Sequence, residues 1–350
     1  MHDKMKKNLK LLLILIVLTF VAGVVWYLNG DTDRTLTANP LANFAIEDTS
    51  AVNKIFISDA NGKTITLERV EGDRYWDLNG KYKARKDAVD IILKTFKRIK
   101  VKSPVPTTGR ENAIKLIQTG KRVDVYTDSE TPLKTYFIGT PTSDHTGTYM
   151  VLELDGSERS TEPFITHMEG FTGFLSTRFF TDLEEWRYTG VFDYPDVREI
   201  KRVEVINHEN EEQSFDIEFN GGNDIKLHSR LLDRDLAAFD TLAVKNYFLM
   251  YKKVHLETYQ SYMSEELEES LLNTQAAYTI RVMNRSNEVK KIDLYWKPTT
   301  TSEMDANGDM VMIDQARMYG VVGGSDVVLV QRFVFDPLLI PLDAFVDSSF

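Results

Sequence analysis

Three stretches of this sequence hold side chains of the kind that do chemistry. Ser143-Asp144-His145 sets a hydroxyl, a carboxylate and an imidazole side by side, and a histidine beside an acid can serve as a general base. Neighbours on an extended loop point to opposite sides, however, and a triad draws its members from separate elements. A polar turn between two strands is the expectation here. His208 and His228 fall on the first and third of three successive predicted strands, a placement that could let them share a metal. No third ligand is spaced with them, and neither H-x-x-x-H nor H-E-x-x-H occurs. Asp305-Ala306-Asn307-Gly308-Asp309 is similar to the start of a calcium loop, yet Met310 and Ala316 stand where Gly and Glu are required. No catalytic residue, metal ligand or cofactor-binding residue is assigned on this basis, and no cofactor is expected.

Other motifs fail on context. Val322-Gly323-Gly324-Ser325 is glycine-rich but joins two predicted strands, whereas a phosphate cradle opens a helix. Trp76, Trp186 and Trp296 could stack sugars, but Trp76 and Trp296 lie at strand ends, where half-buried core is expected. Trp186 lies near the end of the first half of the chain and is expected to pack the two halves together. The acid-rich segment Glu265–Glu269 reads as a solvated helix face, with a basic partner as the other reading. There is no Walker A pattern and no cysteine, so phosphate-loop chemistry, disulfides, thiolate sites and lipid attachment at cysteine are excluded. A net charge of −11 argues against a nucleic-acid partner, because phosphate neutralisation needs a basic face. With 42% hydrophobic and 27% charged residues, the composition is that of a folded chain, and 350 residues suit two domains.

What must position any site begins at the N-terminus. Leu11–Leu28 is an uncharged apolar run preceded by Lys4, Lys6, Lys7 and Lys10 and followed by Asp31, Asp33 and Arg34. At about 1.5 Å per residue it crosses most of a hydrocarbon core of about 30 Å. The lysines keep the N-terminus cytoplasmic and place the body across the membrane. The small-residue site Val21-Ala22-Gly23 lies inside the run, so an uncleaved signal anchor is favoured over a cleaved signal peptide. The expected location is the bacterial inner membrane, single-pass, with a periplasmic body. Residues 1–30 are then the tail and anchor, and 31–50 a tether.

The body is strand-rich and repeats one order of elements. In the first copy, residues 51–190, strands are expected at Ala51–Ser58 and Lys63–Val70 around an Asn-Gly hairpin turn, and at Arg74–Leu78. A helix follows, with Val89, Ile92, Phe96 and Ile99 on one face, Asp87 able to cap it, and Pro104 and Pro106 ending it. Strands at Arg122–Thr127, Lys134–Ile138, Thr148–Leu154 and Pro163–Ile165 precede a short helix over Phe171–Phe180. In the second copy, residues 198–350, strands are expected at Ile200–Ile206, Ser214–Phe219 and Ile225–His228. A helix then carries Leu236, Phe239, Ala243, Tyr247, Met250 and Val254 on one face. Strands at Tyr278–Met283, Lys291–Trp296, Asp314–Tyr319 and Val327–Val330 lead to an apolar end at Pro337–Phe345. The offset is about 150 residues, and the join is expected within Trp186–Val197. A helix at SEELEESLLN, capped by Ser264, is expected as an insertion in the second copy alone. The expected fold class is α+β: an N-terminal transmembrane helix, then two tandem modules of antiparallel sheet packed on a helix.

The first copy resembles the bacterial domain-of-unknown-function family 4340. The resemblance lies in an ordered set: GKTITLERVEGDRYWDL with Trp76, the helix KARKDAVDIILKTFKRIK, RVDVYTDSETPLKTYFIG ending in Ile138-Gly139, and PTSDHTGTYMVLE with Gly147 and Tyr149. Pro163-Phe164-Ile165 and FLSTRFF close it. It covers about residues 50–190 well and the second copy in outline. Asp73-Arg74-Tyr75 departs from the family's usual glycine before the tryptophan. The resemblance implies a membrane-anchored envelope protein, some relatives being auxiliary subunits of gliding-motility-type ABC transporters, and it implies no catalytic residues.

The expected function is therefore that of a membrane-anchored periplasmic binding or scaffold protein, without enzymatic activity. Its partners would be inner-membrane or envelope proteins, transporter subunits among them, with the membrane engaged through Leu11 to Leu28 and no nucleic acid. The alternative is an envelope glycan-acting hydrolase, since 53 acidic residues leave room for a paired carboxylate site, or a glycan- or lipid-binding module.

Overall fold

The computed structural model describes residues 19, 20, 24, 39–156, 158–222, 224–300, 304 and 308–346. Apart from Thr19, Phe20 and Val24, the span expected over Leu11–Leu28 lies outside the described residues, as does 31–38 of the expected tether. Among the described residues, no helix is long and apolar enough to cross a membrane. The chain forms two compact units, passing from one to the other between Tyr188 and Thr189.

The first unit runs β1 (Lys54–Asp59), β2 (Thr64–Arg69), β3 (Trp76–Leu78), β4 (Tyr82–Lys83), helix α1 (Lys86–Arg98), β5 (Ile99–Pro104) and helix α2 (Arg110–Gln118). It continues with β6 (Lys121–Tyr126), β7 (Lys134–Pro141), β8 (Thr148–Leu154), β9 (Glu158–Arg159) and β10 (Phe164–Met168). These strands form one antiparallel sheet in the order β4-β3-β2-β1-β6-β7-β8-β10-β5, with β9 paired to β8. Side chains alternate across it, so one face is apolar and the other meets water. Ile55, Ile57, Leu67, Val123, Val125 and Leu152 line the apolar face under Val89, Ile92 and Phe96 of α1. The Phe96 ring stacks on Tyr136 of β7, with centroids 5.4 Å apart.

The second unit runs β11 (Gly190–Phe192), β12 (Ile200–Asn207), β13 (Phe215–Gly221), β14 (Asp224–Ser229), β15 (Arg234–Asp235), helix α3 (Thr241–Leu249), β16 (Val254–His255) and β17 (Thr258–Tyr259). Helix α4 (Glu265–Leu272), β18 (Tyr278–Asn284), β19 (Val289–Pro298), β20 (Ile313–Val322), β21 (Asp326–Gln331) and the single turn α5 (Arg332–Phe335) follow. Its main sheet has the order β15-β14-β13-β12-β18-β19-β20-β21-β17, and β11 pairs with β16 apart from it. Position for position, this is the strand order of the first sheet.

The register deepens the match. In the first unit a row of paired residues crosses from Leu78 through Leu67, Ile55 and Val125 to Lys134. In the second, Leu227, Ile217, Val203, Val282 and Lys290 make the same row. The segments before the first strands match as well. Ile46 N donates to Phe96 O beyond buried Phe44, and Tyr194 N donates to Tyr251 O beyond buried Phe192. The described fold is thus sheet-rich α+β with two sheet units of one topology.

Several expectations are corrected in detail. Residues 39–46 do not act as a tether: Ala42, Phe44 and Ile46 are buried in the first core. The Tyr136 hydroxyl donates to Phe44 O, and the Lys134 ammonium donates to Asn43 O and Ala45 O. Asp87 does not cap α1. Arg85 holds the N-cap position without a side-chain bond, and Asp87 is drawn into an ion pair with Arg85 at 2.6 Å. The helix ends at Arg98 rather than at the prolines, because the chain turns extended at Ile99 to form β5 on the far edge of the sheet. Phe171–Phe180 contains one 3-10 turn, Leu175–Arg178, in place of a helix.

In the second unit the helix is shorter than the apolar spacing suggested. The Asp240 carboxylate accepts from Leu242 N and Ala243 N and starts the helix there, leaving Leu236 and Phe239 before it and Met250 and Val254 beyond it. Its buried face is Val244, Tyr247 and Phe248. The Ser264-capped helix is present as α4, but it is not confined to the second copy. It stands between β17 and β18 as α2 stands between β5 and β6, so both units carry a helix at this point.

Candidate functional site

The solvent face of the second sheet is covered by a ladder of ion pairs. Arg281 pairs with Glu204 at 3.1 Å, Glu204 with Arg202 at 3.2 Å, Arg202 with Asp216 at 3.1 Å, and Asp216 with Arg230 at 2.9 Å. Four strands contribute or adjoin these residues, since alternate positions on β12, β13 and β18 face the same way. Beside the ladder, Arg202, Asp216, Glu218, Lys226, His228 and Asp235 line a shallow hollow of about 250 Å³. The Asp216 carboxylate is only 8% exposed and receives bonds from both Arg202 and Arg230.

A second hollow, of about 290 Å³, opens on the first sheet. Ser58, Asp59 and Ala60 at the end of β1 form one wall, and Ile117, Gln118 and Gly120 at the end of α2 form another. Lys121, Arg122, Phe137 and Arg159 complete it. Gly120 is required by the close approach of α2 to β7: a Cβ there would lie 1.9 Å from Ile138 O. The Phe137 ring carries the Arg159 guanidinium at 3.5 Å and that of Arg122 at 5.9 Å from its centroid. Arg122 is tied to Asp124 at 3.0 Å, while Arg159 reaches Glu153 only at 3.9 Å. Asp59 is occupied, accepting from Thr181 Oγ1, Asn61 N and Lys63 N, and these bonds hold its pKa below the usual range against burial. Lys121 is half-buried; its ammonium donates to Ser176 O at 3.4 Å. Burial pushes its pKa down, and the Asp59 charge offsets this in part.

The sequence-derived candidates are dispersed. Asp144 anchors the β7–β8 turn by accepting from Thr142 Oγ1, Thr146 Oγ1 and Thr146 N, and these bonds hold its carboxyl far below the ordinary range. His145 takes a left-handed backbone (φ 56°) beside the Phe174 ring. Ser143-Asp144-His145 is a polar turn. His208 Nε2 meets Thr279 Oγ1 at 3.0 Å, whereas His228 Nδ1 meets Asp235 at 3.0 Å, so the two histidines serve different partners. Among the described residues no group of three metal-ligating side chains comes together.

Gly323 and Gly324 take positive φ in the β20–β21 turn. Asp305–Asn307 of the calcium-like stretch lie outside the described residues. Trp186 is buried in the first unit's core with its Nε1 donating to Phe180 O. Trp76 lies under Arg69, and Trp296 donates to Glu209.

The hollow at Phe137 escaped sequence reasoning because its residues are scattered over five elements. The available signal was the pairing of β6 with β7, which sets Arg122 opposite Phe137. No family model, curated protein or solved structure matches the chain.

Proposed function

We propose that this chain is a membrane-anchored periplasmic scaffold or binding protein of the bacterial envelope, related to family 4340 and serving as an accessory component of a transporter or similar inner-membrane complex. The observation that carries the reading is the pairing of one topology with two surfaces. Both sheets share a strand order, yet the second presents an ion-pair ladder and the first a cation–aromatic hollow. Repeating one module while varying its surface suits a protein that holds unlike partners. The eighteen uncharged residues of Leu11–Leu28 behind four lysines support the anchor, and the ordered likeness of residues 50–190 supports the family. We place the repeat itself in a tandem duplication of one module.

Among the described residues, the carboxylates whose pKa is displaced, such as Asp59, Asp87, Asp144 and Asp196, are displaced downward by hydrogen bonds or charged partners. This favours a scaffold over a glycan hydrolase, whose acid needs the opposite shift. The test is gentle affinity purification of the full-length protein from its host's membranes, followed by mass spectrometry. Envelope or transporter subunits retained above an anchor-only control are the expected result. A list no different from that control overturns the scaffold reading.

A further inference from the structure

We propose that Met304, Met310 and Met312 bind a soft monovalent metal ion, copper(I), through their three thioethers. This assigns a ligand class to one hairpin and does not depend on the scaffold reading. Histidines and carboxylates gather nowhere in threes among the described residues, so a metal held here takes a different donor. Met304 and Met310 form an antiparallel bridge in the segment that joins β19 to β20. Residues opposite each other in such a pair point to one side, with Cβ atoms about 4.5–5.5 Å apart. Beyond Met310 the chain stays paired, since Thr299 N donates to Met312 O at 3.0 Å. Exposure alternates along it: Met310 and Met312 are exposed, whereas Val311 and Ile313 are half-buried. Met312 therefore shares a side with Met310. The diagonal from Met304 to Met312 is then about 7–8 Å between Cβ atoms, within reach of long side chains. The three residues are 71%, 62% and 70% exposed, the highest values among the described methionines. Thioether sulfur is a soft donor, which selects copper(I) over calcium or magnesium. The net charge of −11 favours a cation, and the chain holds no cysteine thiolate to compete for it.

The first unit supplies an internal control. Strands β7 and β8 hold the places in its sheet that β19 and β20 hold in the second. Their connection, residues 142–147, is closed by its own bonds: Thr142 N donates to Gly147 O, and Gly147 N donates to Thr142 Oγ1. It contains no methionine. In the second unit the connection runs from 299 to 312 and carries three of the chain's eleven methionines. The fold therefore closes this turn without thioethers, and their presence is a feature of the second unit. The same connection contains the calcium-like stretch at 305–309, and Met310 stands where a calcium loop requires glycine. The substitution that counts against a hard ion is itself one of the three soft ligands.

The test is a titration of full-length protein in neutral detergent with copper(I), kept anaerobic with ascorbate, against the coloured chelator bicinchoninate. One copper(I) per chain is expected, and X-ray absorption should show sulfur ligands around it. Outer-shell changes at metal sites cost about 10–100-fold in affinity, so losing a ligand should weaken binding about tenfold or more. Met304→Leu, Met310→Leu and Met312→Leu should each do so. Leucine keeps the volume without the donor, and all three positions are exposed, so the variants keep the fold; matched melting curves without metal verify this. Met250→Leu, at an exposed methionine on α3, should leave binding unchanged. Excess calcium should leave the copper in place. Met1, His2 and Met5 offer another ligand set, which would give nitrogen in the absorption spectrum and ignore the three variants. That result, or no copper(I) retained against the chelator, overturns the proposal.

Discussion

Phe44→Ala tests whether residues 39–46 belong to the first core. The ring is fully buried and meets Phe164 edge-on at 5.8 Å and Tyr136 at 6.1 Å. Its carbonyl accepts from the Tyr136 hydroxyl, and the flanking carbonyls of Asn43 and Ala45 hold the Lys134 ammonium. Truncating a fully buried phenylalanine costs about 3–5 kcal/mol through lost transfer energy and the cavity left behind. A cost of about 4 kcal/mol raises the open fraction of the unit about a thousandfold. Hydrogen exchange with mass spectrometry, on the full chain in detergent, reads this amide by amide where exchange follows the opening equilibrium. Amides of β1, β6 and β7 should exchange about a thousandfold faster, and those of β12, β18 and β19 should hardly change. Phe192→Ala should reverse the pattern, because Phe192 is equally buried at the equivalent place. If Phe44→Ala accelerates the first unit less than about tenfold, the segment is a tether after all and the packing argument fails.

Three further predictions follow from local features. Burial lowers the Lys134 pKa to about 8 from the ordinary 10.5, so between those values the unfolded chain holds the extra proton and stability rises with pH. Lys134→Met should remove that rise in denaturant titrations between pH 8 and 10, below the range where buried Tyr136, its pKa raised by burial, works in the opposite direction. Gly120→Ala forces a Cβ onto the Ile138 carbonyl and should destabilise the first unit by about 1–3 kcal/mol or more, seen as a lowered melting temperature. Gly109→Ala, whose Cβ would meet only a Val105 side chain at 3.7 Å, should stay close to the parent. Asp240→Ala removes the acceptor for two N–H groups at the start of α3 and should cost about 1 kcal/mol in the denaturation midpoint of the second unit.

The strands were legible because their signals are local. Asn-Gly turns, alternating burial and β-branched runs placed β1, β2, β8, β12 and β18 within a residue or a few of their bounds. Asn79 and Gly80 both take positive φ, as the turn chemistry required. Helix α2 was missed because only Ala113 and Ile117 are buried on its nine residues, too few to set a period. Strand β5 was masked because Ile99 continues the helical step from Phe96, hiding the alternation of Ile99 and Val101 with Lys100 and Lys102. Lys134 on the apolar face follows from no local rule; the carbonyls that accept from it lie about ninety residues away. The same distance problem hid the hollow at Phe137, which is assembled by register rather than by motif.

The central claim, an anchored body on the far side of the membrane, is tested most directly by protease accessibility in intact spheroplasts of the host. The full chain carries an N-terminal and a C-terminal tag, and membranes are washed with alkaline carbonate before blotting. The account predicts that the protein stays with the washed membrane, that external protease removes the C-terminal tag, and that the N-terminal tag survives until lysis. A C-terminal tag protected until lysis, or a chain released by carbonate, would contradict it.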